Sequence, residues 1–324
     1  MPSSDSALIL LGQRLLEQGY QFTAITPASH ERVLARAAPS PEARLPKASL
    51  ADAFGWNRPF LAGGLDPDLL KLLGSAGMLT QLDQPGWVQS RVRFATLNGF
   101  LLIHSSFPTD GADSVFFGPD TYRFARLIAT HVPENVRRVV DIGAGTGVGG
   151  MLAARELSRK NCFPQVFLTD TNEEALRFSR INLAINGDTG APVALTPFTV
   201  QRSDLMEQLE GEFDLILANP PFMADHRGRA YRDGAGELGT GLSARILREA
   251  SARLAPGGRL LLYTGSPIRH GQDLVRAHAD REIPATCTYE YFEIDPDVFG
   301  EELATETYRQ VDRLAAVGII VTRN

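Results

Sequence analysis

The sequence predicts an α/β protein in which a smaller α+β domain (residues 1–111) precedes a domain built on a mostly parallel sheet (residues 112–324). Three observations predict this fold. Strand-like and helix-like segments alternate after residue 112, which is the pattern of a parallel sheet covered on both faces. Before that point, helical segments are followed by a hairpin. A buried strand also runs directly into a glycine-rich turn at residues 141–147.

Apolar residues at helical spacing predict three helices in the N-terminal domain, over residues 7–18, 30–38 and 67–73. Asp66 is a good N-cap residue and Pro67 suits the first helical position, so the start of the third helix is well marked. Three prolines between residues 38 and 47 indicate a loop.

Alternating residues predict strands over 87–96 and 100–105, and the turn dipeptide Asn98-Gly99 joins them in a hairpin. Helices followed by a hairpin are similar to a winged helix, whose wing would carry Arg91 and Arg93 towards a nucleic acid. The alternative is a packing or protein-docking module with a solvated arginine face.

The segments of the C-terminal domain predict the parallel sheet. Short apolar runs predict strands over residues 136–142, 165–170, 198–201, 213–218, 259–264, 289–294 and 315–322. Helical spacing predicts helices over residues 149–157, 173–186 and 243–254, the last ended by the Pro-Gly-Gly run at 256–258.

The amino-acid composition limits the classes of function that this chain can have. With 44% hydrophobic and 22% charged residues, the chain is expected to fold. A net charge of −6 argues against non-specific coating of nucleic acid, so any such contact needs a local basic surface. Two cysteines and no Cys/His ligand spacing predict neither a disulfide framework nor a metal site. We find no basic leader and no apolar run of ~20 residues, so a cytoplasmic protein without membrane contact is expected.

The glycine-rich turn at residues 141–147 (Asp-Ile-Gly-Ala-Gly-Thr-Gly) is the first candidate site. Gly143, Gly145 and Gly147 allow a sharp bend and close approach of a ligand, and the following helix N-terminus offers N–H groups to a carboxylate. The glycines at 145, 147 and 150 also fit the dinucleotide fingerprint, although the first glycine after the strand is Gly143. The turn alone therefore leaves S-adenosylmethionine and a nicotinamide cofactor open.

Acidic residues end three successive strands. Asp141, Asp170 and Asp204 are expected to line one rim of the sheet, together with Asn172 and Ser203. A carboxylate at the second strand end can accept both ribose hydroxyls in either cofactor class, and one at the third can accept from an adenine amino group. The series favours S-adenosyl-L-methionine.

The Asn-Pro-Pro-Phe motif at residues 219–222 is the most specific segment, because an apolar strand runs straight into it. The Asn219 side-chain oxygen and the Pro220 carbonyl can accept from an NH2 group whose lone pair is delocalised, and so hold its nitrogen in line for methyl transfer. Pro220 and Pro221 fix the backbone direction. Phe222 offers a face for a planar group.

At these residues the sequence resembles the Rossmann-like class I methyltransferases of the methyltransferase small domain type. That family includes release-factor glutamine methyltransferases and ribosomal RNA guanine-N2 and adenine-N6 methyltransferases. The match covers about residues 112–324 and rests on residues 117–122, the glycine turn, the strand-end acids and the 219–222 motif. It implies S-adenosyl-L-methionine as cofactor, an antiparallel C-terminal strand, and contact of Thr121 with the methionine end of the cofactor.

The acceptor is where the subfamilies differ. Phe222 stands where the glutamine enzymes usually have Tyr, and residues 226–232 form the densest basic segment, which would suit a flipped base and its phosphates. The alternative is a solvated substrate-gating loop. Residues 294–299 and the first 110 residues match neither subfamily.

We therefore predict an N-methyltransferase acting on RNA (guanine N2 or adenine N6), with a ribosome as partner. A protein glutamine of a release factor is the runner-up. From other classes, a nicotinamide-dependent oxidoreductase would leave residues 219–222 without a role, and a catalytically silent binding protein would keep only the fold.

Overall fold

The computed structural model describes residues 3–36, 48–187, 195–225, 229 and 231–324. The predicted loop at 38–47 and residues 226–228 and 230 of the basic segment lie outside the described residues. The chain divides into two compact units. The N-terminal unit comprises residues 1–110, 115–122 and 180–191, and the C-terminal unit comprises residues 111–114, 123–179 and 192–324.

Four helices of the described N-terminal unit precede its strands or lie between them: α1 (Ser4–Glu17), α2 (Pro27–Arg36), α3 (Leu50–Phe54) and α4 (Pro67–Ser75). The predicted start of α4 is confirmed, because the Asp66 side chain accepts from the N–H groups of Asp68 and Leu69 and Pro67 occupies the first turn. Helix α3 was not predicted, since its five residues are too short for a periodic signal.

The strands of this unit are β1 (Phe60–Leu61), β2 (Leu79–Gln81), β3 (Trp87–Ser90), β4 (Val92–Leu97) and β5 (Phe100–Ser105). The predicted hairpin across Asn98-Gly99 is confirmed as β4–β5. A single strand over 87–96 is wrong, because β3 pairs with β1 and β2 while β4 pairs with β5. At the break, the Ser90 hydroxyl bonds both the N–H and the carbonyl of Val92.

The prediction of a solvated arginine face on the β4–β5 hairpin is also wrong for Arg93, which is only 5% exposed. Its Nε donates to the Ser105 carbonyl across 3.1 Å, and its guanidinium lies 5.8 Å from the Phe107 ring centroid. The reason is that both faces of the hairpin are covered, whereas alternation suggests one solvated face. Arg91 is exposed.

The C-terminal unit is organised by one sheet. Its strands are β6 (Arg138–Ile142), β7 (Gln165–Asp170), β8 (Phe198–Arg202), β9 (Phe213–Ala218), β10 (Leu254–Arg269), β11 (Gln272–Asp273), β12 (Cys287–Asp295) and β13 (Arg313–Arg323). The order is β12-β13-β10-β9-β6-β7-β8, with β12 and β13 antiparallel and the five strands from β10 to β8 parallel. The predicted α/β fold with a mostly parallel sheet and an antiparallel C-terminal strand, β13, is confirmed.

The remaining helices are α5 (Pro119–His131), α6 (Val148–Ser158), α7 (Glu173–Gly187), α8 (Gly241–Ser251) and α9 (Leu274–Glu282). Strand β10 is longer than the predicted 259–264, because it takes in the Pro-Gly-Gly run at 256–258 through an irregular register against β9. Strands β6, β9, β10 and β13 and helices α8 and α9 supply most of a continuous apolar core, in which Phe213 and Leu262 are fully buried.

None of the helices described is long and apolar enough to cross a membrane. Among the same residues, no group of three His, Cys, Asp or Glu side chains could hold a metal ion.

Candidate active site

Strand register brings the glycine turn, Asp170 and the Asn-Pro-Pro-Phe motif to one edge of the sheet. Ile142, the last residue of β6, pairs with Ala218, the last residue of β9, and with Thr169 of β7. The glycine turn and Asn219 therefore leave adjacent parallel strands at the same level. Asp170 ends β7 at this edge and pairs with Arg202, the last residue of β8. This is the carboxyl edge, where ligands bind in open α/β sheets.

The glycine turn has the backbone that its sequence predicts. Gly143, Gly145 and Gly147 have φ values of 64°, 56° and 77°, which residues with a Cβ rarely adopt. Gly147 is the N-cap of α6 and supplies no side-chain cap. Of the first-turn amides of α6, that of Gly150 is bonded by Asp141, whereas those of Val148 and Gly149 could bind an anionic group.

Asp141 lies beneath the turn and is 2% exposed. Its Oδ2 accepts the Gly150 N–H across 2.8 Å, and a Cβ at Gly149 would stand 2.6 Å from the same oxygen. Burial raises the pKa of Asp141 to about 7, the Gly150 N–H counteracts the rise, and the charge of Asp170 adds to it. Asp141 orients the turn from inside.

Asp170 ties the turn to the next strand. Its Oδ2 accepts the Gly145 N–H across 3.0 Å and its Oδ1 accepts the Asn172 N–H across 2.9 Å. Burial raises the pKa of Asp170, and these N–H groups oppose the rise. The Thr171 N–H bonds the same carboxylate, which leaves it a limited remaining capacity to accept a ligand hydroxyl.

Two of the other predicted cofactor residues bond within the chain. The Asn172 Oδ1 accepts the Glu174 N–H across 2.9 Å at the start of α7, and its Nδ2 donates to the Asp113 carbonyl across 2.8 Å. Ser203 is buried, and its N–H donates to the Asp170 carbonyl across 3.1 Å.

Asp204 is engaged by an arginine that sequence reasoning missed. Both of its carboxylate oxygens lie 2.8 Å from Arg245 Nη1. Arg245 also bonds Glu249 across 2.9 Å, and the hydrogen bonds to Glu249 and Asp204 raise its pKa. Asp204 can accept from a ligand only with an oxygen lone pair that Arg245 leaves available.

Thr121 belongs to the N-terminal unit, in the first turn of α5. It is buried, and its Oγ1 accepts the Gly118 N–H across 3.4 Å. Its contact with a cofactor stays a prediction.

The Asn-Pro-Pro-Phe motif directly follows β9. Asn219 is half-buried, and within the part of the chain that the structure describes its side chain has no hydrogen-bond partner. Phe222 is 8% exposed, and its ring centroid lies 5.9 Å from that of Phe299 and 6.3 Å from that of Tyr263. The Asn219 amide is thus available to a ligand, whereas most of the Phe222 ring surface is packed against other side chains.

The chain after the motif is held by residues that the sequence did not indicate. The Met223 N–H donates to the Arg232 carbonyl across 3.0 Å, and the Gly234 N–H donates to the Met223 carbonyl across 2.8 Å. The Ala224 N–H donates to the Tyr308 hydroxyl across 2.7 Å. The glycines of residues 234–241 could have signalled a close backbone approach, but no local signal points to Tyr308.

The described part of the basic segment is paired with acids. Arg229 binds Asp225, with a nitrogen–oxygen distance of 2.5 Å, and Arg232 pairs with Glu302 and lies 3.7 Å from Asp225. The Arg229 hydrogen bond lowers the pKa of Asp225 to about 2, and burial opposes this. Both arginines therefore form ion pairs with acidic residues of the same chain. His226 and Arg227 lie outside the described residues.

Known proteins with similar sequences are named as methyltransferases. The chain is 35% identical over 131 residues to the ribosomal RNA small subunit methyltransferase C of Chromohalobacter salexigens, covering 40% of this chain and 32% of that protein. It is 38% identical over 137 residues to the release factor glutamine methyltransferase of Deinococcus radiodurans, covering 39% of this chain and 44% of that protein. The matches thus span less than half the length of these curated relatives.

Among solved structures, a 16S rRNA N2 methyltransferase of T. Thermophilus in complex with AdoMet and guanosine aligns with 17% identity and a TM-score of 0.44, covering 86% of this chain and 68% of that one. The family model described as "Methyltransferase small domain" matches residues 114–283, more than half of the 324 residues. The resemblance predicted from the sequence motifs is confirmed, and the chain belongs to the methyltransferase small domain family.

Proposed function

We propose that this protein is an S-adenosylmethionine-dependent N-methyltransferase acting on a planar amino group of a macromolecule. One observation carries the proposal. Ile142 and Ala218 pair in register, so the glycine turn and Asn219 emerge side by side from neighbouring strands. Asn219 is half-buried, and its amide has no hydrogen-bond partner among the residues that the structure describes. A cofactor-binding loop and an acceptor-binding group need this proximity.

The residues at the sheet edge fit the cofactor. Asp170 can accept a ribose hydroxyl with the lone-pair capacity that its three backbone N–H partners leave. The glycines of the turn present backbone with no Cβ in the way. The proposed contacts are Thr121, Asp141, Gly143, Gly145, Gly147, Asp170, Asn172, Ser203 and Asp204. When bound, S-adenosylmethionine supplies an electrophilic methyl group on a sulfonium centre.

The 219–222 motif orients the acceptor. The Asn219 Oδ1 and the Pro220 carbonyl accept the two N–H bonds of an amino group, which fixes the nitrogen and favours lone-pair density on it as positive charge develops. Pro221 limits the backbone directions that this segment can take. The proton lost from the nitrogen can pass to water, so no dedicated base is required.

We propose RNA as the acceptor, at guanine N2 or adenine N6. Support comes from the relatives named ribosomal RNA small subunit methyltransferase C. Phe222 also supports it, because the glutamine enzymes usually have Tyr at this position. The N-terminal unit would then position the macromolecule. Ribosomes are cytoplasmic, and we expect this protein to act there.

A protein glutamine is the second candidate, and one observation favours it. Arg229 and Arg232, the described arginines next to the motif, are already paired with Asp225 and Glu302. They are therefore poorly placed to neutralise phosphates. A relative named release factor glutamine methyltransferase matches the chain as well.

Incubation with radiolabelled S-adenosylmethionine and either ribosomal subunits or release factors tests the acceptor. We expect label in RNA that nuclease removes. Label confined to protein would refute RNA and support the glutamine. Calorimetry tests the reaction class, since binding of NAD(H) without binding of S-adenosylhomocysteine would exclude a methyltransferase.

A further inference from the structure

The connection between β12 and β13 (residues 296–312) is unusually long for two antiparallel neighbours, which a turn of two residues can join. It contains a short 3-10 helix, Gly300–Ala304. It also lies outside residues 114–283, the part matched by the family model. The connection is therefore not part of the region that the family model matches.

Three side chains of the connection contact the chain at and after the Asn-Pro-Pro-Phe motif. Tyr308 is buried, and its hydroxyl accepts the Ala224 N–H across 2.7 Å. The Phe299 ring packs 5.9 Å from the Phe222 ring. Glu302 pairs with Arg232, whose carbonyl accepts the Met223 N–H. Each residue from 222 to 224 is thus held, directly or through one neighbour, by the connection.

The backbone around these contacts is strained. Ala235, Leu238 and Phe299 have φ values of 55°, 52° and 56°, in the left-handed region that non-glycine residues avoid. Such residues persist where the surroundings fix them, which occurs preferentially at functional sites. The Tyr308 hydroxyl lies 3.4 Å from the Leu238 carbonyl, so it joins this strained loop to Ala224.

We infer that Tyr308 is a positioning residue for the acceptor motif, an inference that rests on the proposed function. Strand β9 fixes the motif at Ala218, and the Tyr308 hydroxyl fixes it beyond Phe222 at Ala224. With both ends held, the direction of the Pro220 carbonyl is set by the sheet and the connection together. A small displacement of such a group costs rate rather than cofactor affinity.

The test is Tyr308→Phe, which removes one hydroxyl, with Tyr289→Phe as the matched control. Tyr289 lies on β12 and bonds Asp280 on α9, so the control also loses a tyrosine hydrogen bond in this unit. Phe299→Leu, which removes the ring next to Phe222, is a second variant. For each protein we would measure melting temperature, S-adenosylhomocysteine affinity, hydrogen exchange of the amides at 222–224, and kcat and KM with the acceptor that the labelling experiment identifies.

For Tyr308→Phe we expect exchange at Ala224 to rise at least tenfold and kcat to fall ~10–100-fold, with cofactor KM and melting temperature close to those of Tyr289→Phe. Unchanged exchange, or faster exchange with unchanged kcat, would overturn the positioning role. Absence of S-adenosylhomocysteine binding in the unmodified protein would instead overturn the proposed function, and the positioning role with it. The two failures are therefore distinguishable.

Discussion

The Gly145 N–H donates to the Asp170 carboxylate across 3.0 Å, so the turn after β6 is tied to the end of β7 within the chain itself. The same carboxylate accepts the N–H of Asn172, the residue that precedes α7. Asp170 therefore organises two loops at the carboxyl edge of the sheet. A preorganised carboxylate of this kind loses little conformational entropy when it accepts ligand hydroxyls.

Asp170→Asn should weaken S-adenosylhomocysteine binding by ~10–100-fold, because hydrogen bonds to a charged group contribute about 1.5–3 kcal/mol. An amide would also set an NH2 group against the Gly145 or Asn172 N–H. Isothermal titration calorimetry measures the loss. Asp214→Asn is the matched control, since Asp214 accepts the Arg137 and Arg138 N–H groups next to the first residue of β6, at the amino edge. Equal weakening in both variants would contradict a ribose-binding role.

Asn219→Ala should lower kcat by ~10²–10³, as removal of a preorganised electrostatic group does in other enzymes. Cofactor affinity should stay nearly unchanged, because the side chain has no hydrogen-bond partner within the described residues and carries no structural bond there. Asn219→Asp keeps an acceptor oxygen and should retain a larger share of turnover. Methyl transfer is measured with labelled cofactor, and unchanged turnover in the alanine variant would show that Asn219 does not hold the acceptor.

The parts of the site that the sequence predicted depend on local signals. Strand β6 runs into the glycine turn, and β9 runs into the 219–222 motif, so each prediction needed only a short window. Parallel topology then placed both segments at one edge. Neither step required knowledge of distant contacts.

The parts that the sequence did not predict depend on residues far apart in the chain. Tyr308 meets the amide of a residue 84 positions earlier, and Arg245 meets Asp204 across 41 positions. The burial of the β4–β5 hairpin involves Asn186, whose side chain bonds the backbone of Leu101 85 positions away. The alternating pattern of a strand is the same whether one or both of its faces are covered. The burial of Arg93 could therefore not be predicted from the local sequence.

The titration of Asp141 should appear in the pH dependence of stability. Its pKa is about 7 in the folded protein because of burial, against an ordinary value of 3.8. Between pH 4 and pH 7 the folded state therefore keeps a proton that the unfolded state releases. The stabilisation is complete below about pH 4 and is lost as the pH rises towards 7. A shift of this size corresponds to about 4 kcal/mol.

Asp141→Asn removes this titration, so the unfolding free energy of the unmodified protein minus that of the variant should fall as the pH rises from 4 to 7. Urea unfolding at a series of pH values measures the difference. Burial lowers the pKa values of His30 and His104, which titrate in both proteins and cancel in the comparison. Parallel stability curves would mean that Asp141 is ionised throughout this range.

Gly265→Ala tests whether the packing of Phe222 sets the acceptor geometry. A Cβ at Gly265 on β10 would stand 2.4 Å from Phe222 Cδ2, so the ring must move. We expect a loss of about 1–3 kcal/mol in unfolding free energy from overpacking, with a fall in turnover of at least tenfold. Gly318→Ala on β13 is the matched control, because its Cβ would stand 2.7 Å from Phe292 Cζ, a ring not in the motif. That variant should lose similar stability in urea unfolding but keep its turnover. If both variants lose turnover equally, general loosening of the sheet rather than displacement of Phe222 is responsible.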